Sequence, residues 1–169
     1  MKEEIKIAGI IKESIVDGPG IRLVIFTQGC VQNCIGCHNP ETHSFSGGYY
    51  VEIDEIVDMV NKNPLLDGIT LSGGEPFLQA KACAILANRI KKIGLNIVTY
   101  TGYTFEEIIR EMEINKSWKK LIFATDILID GRFDIDRKNL LLKFRGSENQ
   151  RIIDIKKSLE DNKIVIADI

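Results

Sequence analysis

Residues Ile21 to Cys37 read IRLVIFTQGCVQNCIGC, and the fold turns on how that stretch divides. Ile21 to Thr27 is a nearly continuous apolar run of strand length, the pattern of a strand buried on both faces. It ends at Gly29 and gives way to a short loop carrying Cys30, Cys34 and Cys37. The arrangement recurs downstream. Gly68 to Ser72 (GITLS) forms a second short strand before Gly73-Gly74-Glu75-Pro76. Asn96 to Thr101 (NIVTYT) forms a third before Gly102, and Ile127 to Asp130 (ILID) a fourth before Gly131. Between them Ile53, Ile56, Val57 and Val60 recur at helical spacing up to Asn63-Pro64. A helix from about Gln79 to Ile93 stops at Gly94, and Thr104 with Glu107 three residues on has a capping-box pattern.

Strands alternating with helices predict an α/β domain with a parallel sheet. The special residues all follow strands, and in parallel α/β folds those strand ends share the ligand-binding face. Residues 30–37, 73–76, 101–103 and 130–132 are therefore expected to meet at one site. The tail holds two apolar stretches, Ile152 to Ile155 and Ile164 to Ile166, that fit strand or helix.

The 169 residues suit one domain, expected to span 1–169. Hydrophobic residues are 44% and charged residues 27%, which excludes disorder, collagen and coiled coil. With 22 Lys+Arg against 24 Asp+Glu, the net charge of −2 gives no general attraction to nucleic acid or an anionic membrane. No apolar run approaches the roughly 18 residues that would span a bilayer. The start, MKEEIKIAGIIKES, carries acidic residues where a signal peptide wants basic ones, so a cytoplasmic protein is expected. In such a reduced compartment three clustered cysteines point to metal rather than disulfides.

The spacing of Cys30, Cys34 and Cys37 is C-x3-C-x2-C. Structural zinc usually takes four ligands, and a cubane iron–sulfur cluster normally takes four thiolates. Three close cysteines leave one iron open to a small molecule. The alternative is one zinc ion on these cysteines with His38 or His43, although adjacent Cys37 and His38 would struggle to face one ion. Gly73 and Gly74 would let the backbone approach a ligand closely, and Glu75 would offer a negative group to an ammonium. Cys83, among Ala82, Ala84, Ile85 and Leu86, reads as packing. His43 reads as a solvent-facing loop residue, and Lys91-Lys92 and the lysines between Lys116 and Lys120 as solvated helix faces. Tyr100 and Tyr103 flank a strand end as packing or cavity residues. Asp130 closes an apolar strand and needs a partner, for which Arg145 is a candidate. No Ser-His-Asp set, Walker A loop or HExxH occurs.

The two motifs together resemble the radical S-adenosylmethionine superfamily, which commonly carries an aromatic residue where this chain has Gly36. Within it the chain is similar to activating enzymes of glycyl-radical proteins, through Asp17-Gly18-Pro19-Gly20-Ile21-Arg22, Gln28-Gly29-Cys30 and Cys37-His38-Asn39. Tyr100-Thr101-Gly102-Tyr103, Ile129-Asp130-Gly131-Arg132-Phe133 and Phe144 to Arg151 (FRGSENQR) are similar to the subgroup that activates anaerobic ribonucleoside-triphosphate reductase. The resemblance implies a partial open (βα) barrel. It implies a 4Fe-4S cluster on Cys30, Cys34 and Cys37, and S-adenosylmethionine contacted by Gly36, Cys37, His38, Gly73, Gly74 and Glu75. It further implies that reductase as partner and a low-potential donor such as flavodoxin or ferredoxin. An activase of another glycyl-radical enzyme, of the pyruvate formate-lyase type, is the nearer alternative, and a non-catalytic zinc-binding module the distant one.

Overall fold

The computed structural model of the chain describes residues 2–169. Its strands are β1 (Glu4–Ser14), β2 (Arg22–Thr27), β3 (Tyr49–Glu52), β4 (Gly68–Gly73), β5 (Asn96–Tyr100), β6 (Ile127–Asp130) and β7 (Arg151–Asp154). The helices are α1 (Ile53–Asn61), α2 (Ala80–Lys92), α3 (Phe105–Glu111), α4 (Lys116–Ala124) and α5 (Ile155–Asp161). One sheet takes the order β3-β1-β2-β4-β5-β6-β7. The four strands expected from sequence are β2, β4, β5 and β6, and they run parallel in that order. β1 and β3 extend the sheet antiparallel at one side, and β7 at the other. The two edges do not pair, so the (βα) barrel stays open.

Alternation along the parallel strands sorts their side chains onto two faces. Leu23, Ile25, Ile69, Leu71, Ile97 and Leu128 join residues of all five helices, such as Ile56, Leu86, Ile108, Leu121 and Ile155, in one apolar core. Val24 and Val98 are buried on the opposite face, outside that core, where Phe26, Ser72 and Tyr100 line a cavity. The helices thus hold the sheet from one side and leave the other for a ligand.

Arg22 secures the chain on the cavity side. It is fully buried. Its Nε donates to Thr70 Oγ1 at 2.8 Å, one terminal nitrogen to the Pro19 carbonyl at 2.9 Å, and the other to the Ile69 carbonyl at 2.6 Å. Burial lowers its pKa to about 10, which leaves it cationic at neutral pH. Thr70 Oγ1 in turn donates to the Asp17 carbonyl at 2.7 Å, so the 17–22 segment is pinned across the sheet.

The local signals acted as expected. Thr104 Oγ1 accepts from the Glu107 amide at 3.2 Å while Glu107 Oε2 accepts from the Thr104 amide at 2.7 Å, the reciprocal cap that opens α3. Gly94 follows α2 at φ +95°, a left-handed conformation that ends a helix cheaply only for glycine. In the tail, Ile152 to Asp154 lie in β7, Ile155 starts α5, and Ile166 bridges back to Ile153.

Candidate functional site

A cavity of about 440 Å³ lies at the C-terminal ends of β2, β4 and β5. Cys30, Cys34 and Cys37 all line it, and all three are free thiols. Cys30 is buried and the other two half-buried. The Gln32 amide donates to Cys30 Sγ and the Asn39 amide to Cys37 Sγ, each at 3.4 Å. Burial pushes the Cys30 and Cys37 thiols up in pKa, and these amide donors pull them back. Such donors favour thiolate and are among the levers a protein has on cluster potential. His38 lines the cavity, and so does His43, half-buried rather than facing solvent as its loop position suggested.

Gly36 does not itself line the cavity. It sits at φ +77°, and a Cβ there would lie 2.3 Å from Ile135 Cδ1 and 3.3 Å from Phe133 Cε1. The glycine lets those two side chains close onto the cysteine loop. Phe133 reaches the cavity and meets the His38 ring at 5.1 Å between centroids, tilted by 47°.

Gly73, Gly74 and Glu75 stand on the next wall. A Cβ on Gly73 would lie 2.5 Å from the Thr27 nitrogen, and one on Gly74 2.4 Å from the Gly29 carbonyl oxygen. The missing side chains therefore face the exit of β2, and close approach of two backbones is what requires glycine here. The Glu75 amide completes this junction by donating to the Gly29 carbonyl at 2.9 Å. The Glu75 carboxylate is 1% exposed. Its Oε1 accepts from the Phe77 amide at 3.1 Å and Thr101 Oγ1 at 2.8 Å, and its Oε2 from the Gly102 amide at 2.8 Å. Burial outweighs these donors and raises its pKa to about 7. A ligand amine at Oε2 would share that oxygen with Gly102.

The fourth expected segment does not join the site in the way its position implied. Asp130 is directed at Arg151, whose Nε reaches Oδ1 at 3.0 Å and whose terminal nitrogen reaches Oδ2 at 2.5 Å. The antiparallel register of β6 and β7 sets Asp130 opposite Arg151, so Arg145 is not its partner. Arg145 lines the cavity instead and donates to the Gln150 carbonyl at 2.6 Å. Tyr100 lines the cavity and donates to the Phe144 carbonyl at 2.5 Å. Tyr103 packs against Trp118 with ring centroids 4.8 Å apart and planes tilted by 58°, outside the cavity lining. Cys83 is fully buried in the α2 core.

Sequence periodicity gave no warning of the wall built by Phe133, Leu142, Phe144 and Gln150. One physical signal lies in Phe144, which takes φ +61°, an uncommon conformation for a bulky residue. Among the described residues, no three His, Cys, Asp or Glu side chains converge closely enough to hold a single metal ion. The thiolates of a cubane bind separate irons and stand further apart than donors around one ion. Three unpaired thiols on one loop are the soft donors such a cluster takes, and they fit it.

A protein family described as a 4Fe-4S single cluster domain matches residues 16–153. The anaerobic ribonucleoside-triphosphate reductase-activating protein of Vibrio cholerae is 36% identical over 146 residues, covering 82% of this chain and 90% of that protein. The protein of the same name from Escherichia coli K12 is 34% identical over 144 residues, covering 80% and 90%. The chain belongs to this family of reductase-activating proteins. A phage T4 member is 32% identical over 146 residues, covering 81% of this chain and 86% of its own. Among solved structures, QueE from Escherichia coli aligns with a TM-score of 0.47 at 15% identity, covering 60% of this chain and 54% of that one. The segment matched by the 4Fe-4S single cluster family runs from Val16 through the cysteine loop to Ile153 in β7, and so contains every strand end that borders the cavity.

Proposed function

We propose that the chain is a radical S-adenosylmethionine activase that installs a glycyl radical on anaerobic ribonucleoside-triphosphate reductase. One observation carries this reading. In a chain of that family, the three thiols of the C-x3-C-x2-C loop share a single cavity with Gly73, Gly74 and Glu75. Bound together, a 4Fe-4S cluster and S-adenosylmethionine would supply one-electron cleavage to methionine and 5′-deoxyadenosine, with the hydrogen atom drawn from one glycine of the reductase.

The chain's own residues have separable tasks. Cys30, Cys34 and Cys37 hold the cluster, and the Gln32 and Asn39 amides support two of their sulfurs. Gly73 and Gly74 present backbone, Gly36 admits Phe133, and Cys37, His38 and Glu75 border the S-adenosylmethionine. Phe26, Phe133, Leu142 and Phe144 give part of the wall an apolar surface, which limits water where a reactive species forms. The open sheet leaves a side through which a glycine-bearing loop of the reductase reaches the cavity. No helix of the described residues is long and apolar enough to cross a membrane. A flavodoxin or ferredoxin as electron donor, a cytoplasmic location and a single working domain over 1–169 complete the proposal.

The test is anaerobic purification, cluster reconstitution and dithionite reduction, followed by assay of 5′-deoxyadenosine. Wild-type protein is expected to be brown and to form it, and Cys34→Ala to fail. A colourless zinc protein with no cleavage would overturn the enzyme reading in favour of a binding module.

A further inference from the structure

The cysteine loop carries one side chain whose chemistry is unspent. Neither Nε2 nor Oε1 of Gln32 has a hydrogen-bond partner, and both atoms are sealed from solvent. Among the described residues the only other buried orphan is Asn149 Oδ1, and the Asn149 amide nitrogen is bonded to the Arg132 carbonyl. A buried amide with both ends unpartnered is costly, and its retention needs a reason. Gln32 lines the cavity two residues after Cys30. It presses on the exit of β5, where a Cβ on Gly102 would lie 2.6 Å from Gln32 Cγ and 2.9 Å from its Cδ. The Gly102 amide is the group that binds Glu75 Oε2, so Gln32 stands beside the polar junction of the site.

We infer that Gln32 is a cofactor-binding residue whose carboxamide, turning from its sealed position against Gly102 toward the cavity, takes the amino-acid end of S-adenosylmethionine, Nε2 donating to the carboxylate and Oε1 accepting from the amine. This rests on the function proposed above. A primary amide carries one donor face and one acceptor face, and an α-amino acid presents their complements side by side. With neither atom partnered, the pairing holds for either orientation of the amide. The aromatic pair of His38 and Phe133 is the part of the lining suited to a ring system. It packs on Gly36 and Gly146, whereas Gln32 packs on Gly102.

Gln32→Met keeps the length of the side chain and removes both polar atoms. On reconstituted protein, equilibrium dialysis is expected to show about tenfold weaker binding of S-adenosylmethionine. Binding of 5′-methylthioadenosine, which lacks the amino acid, is expected to stay within about twofold. The melting temperature of the ligand-free variant is expected to rise by about 2–4 °C, because a buried unsatisfied amide is gone. A structural glutamine would lower it. Gln32→Leu serves as a second variant if Met disturbs the loop. Unchanged S-adenosylmethionine affinity, equal weakening of both ligands, or a lower melting temperature in both variants would overturn the assignment. Wild-type protein that binds S-adenosylmethionine and forms 5′-deoxyadenosine separates those results from failure of the functional reading itself.

Discussion

Thr101 donates its hydroxyl to Glu75 Oε1 at 2.8 Å, joining the exit of β5 to the exit of β4. With the Phe77 and Gly102 amides on the same carboxylate, Glu75 knots the 75–77 and 101–102 segments together behind the cavity. Its burial gives this knot a pH signature. The folded-state pKa is about 7 against an ordinary 4.5, so the native state holds a proton between those values that the unfolded chain releases. That contribution to stability is complete below pH 4.5 and is lost as pH rises through about 7, amounting to about 3 kcal/mol. Urea midpoints of cluster-free protein are expected to fall between pH 5 and 7 and then level off, and Glu75→Gln to lack this step. Parallel profiles for the two proteins would contradict the assignment.

Arg151 is expected to matter more for Asp130 than for Glu106. Asp130 is 1% exposed, and Arg151 is its cationic partner among the described residues, whereas Glu106 is half exposed. Removing one partner of a fully buried pair costs about 3–5 kcal/mol, and the partial exposure of Arg151 brings Arg151→Met down to about 2–3 kcal/mol. Glu106→Ala is expected to cost under about 1 kcal/mol. Urea unfolding of the two variants measures the contrast, and equal losses would refute it.

Gly36→Ala is expected to damage cluster assembly before it damages the fold. The added methyl meets Ile135 Cδ1, and the backbone at φ +77° disfavours any L side chain. Iron content after reconstitution is expected to fall severalfold while far-ultraviolet circular dichroism stays native. Ile135→Ala in the same chain relieves the contact but not the backbone strain, so it restores only part of the iron. Full iron loading of Gly36→Ala alone would show that the contact yields at no cost.

The legible part of this fold was the part whose burial is uniform. β2, β4, β5 and β6 are buried on both faces, so their apolar runs stand out without any partner being known. β1 is different. It is an edge-side strand with Ile5 and Ile7 buried, a largely exposed second half and two register shifts against β2, and no sustained alternation marks it. β3 has only four residues, two of them exposed tyrosines. At the site, the cysteine loop and Gly73-Gly74-Glu75 were readable because each is contiguous. The partner of Asp130 was not, because it depends on the register of β6 with β7, where Arg151 and not Arg145 falls opposite. Nor was the wall from Phe133 to Gln150, whose residues meet only after that segment folds back over the strand ends.

Cys83 is expected to separate cleanly from the other three cysteines. It is 0% exposed among the core residues of α2, and burial raises its pKa well above the ordinary thiol range. Cys83→Ala is expected to keep full iron content and to cost about 1–2 kcal/mol through the small cavity it leaves. Cys30→Ala, Cys34→Ala and Cys37→Ala are each expected to lose the cluster. Iron loss in Cys83→Ala with unchanged stability would reverse the division.

The central claim is that the cavity's chemistry ends on a protein glycine. It is tested most directly by electron paramagnetic resonance of anaerobic ribonucleoside-triphosphate reductase incubated with the reduced, reconstituted protein and S-adenosylmethionine. The account predicts a glycyl-radical doublet, split by the one remaining α-hydrogen, that is absent when Cys34→Ala replaces the wild type. S-adenosylmethionine cleavage with no radical on the reductase would contradict it and assign this activase-family chain to a different target.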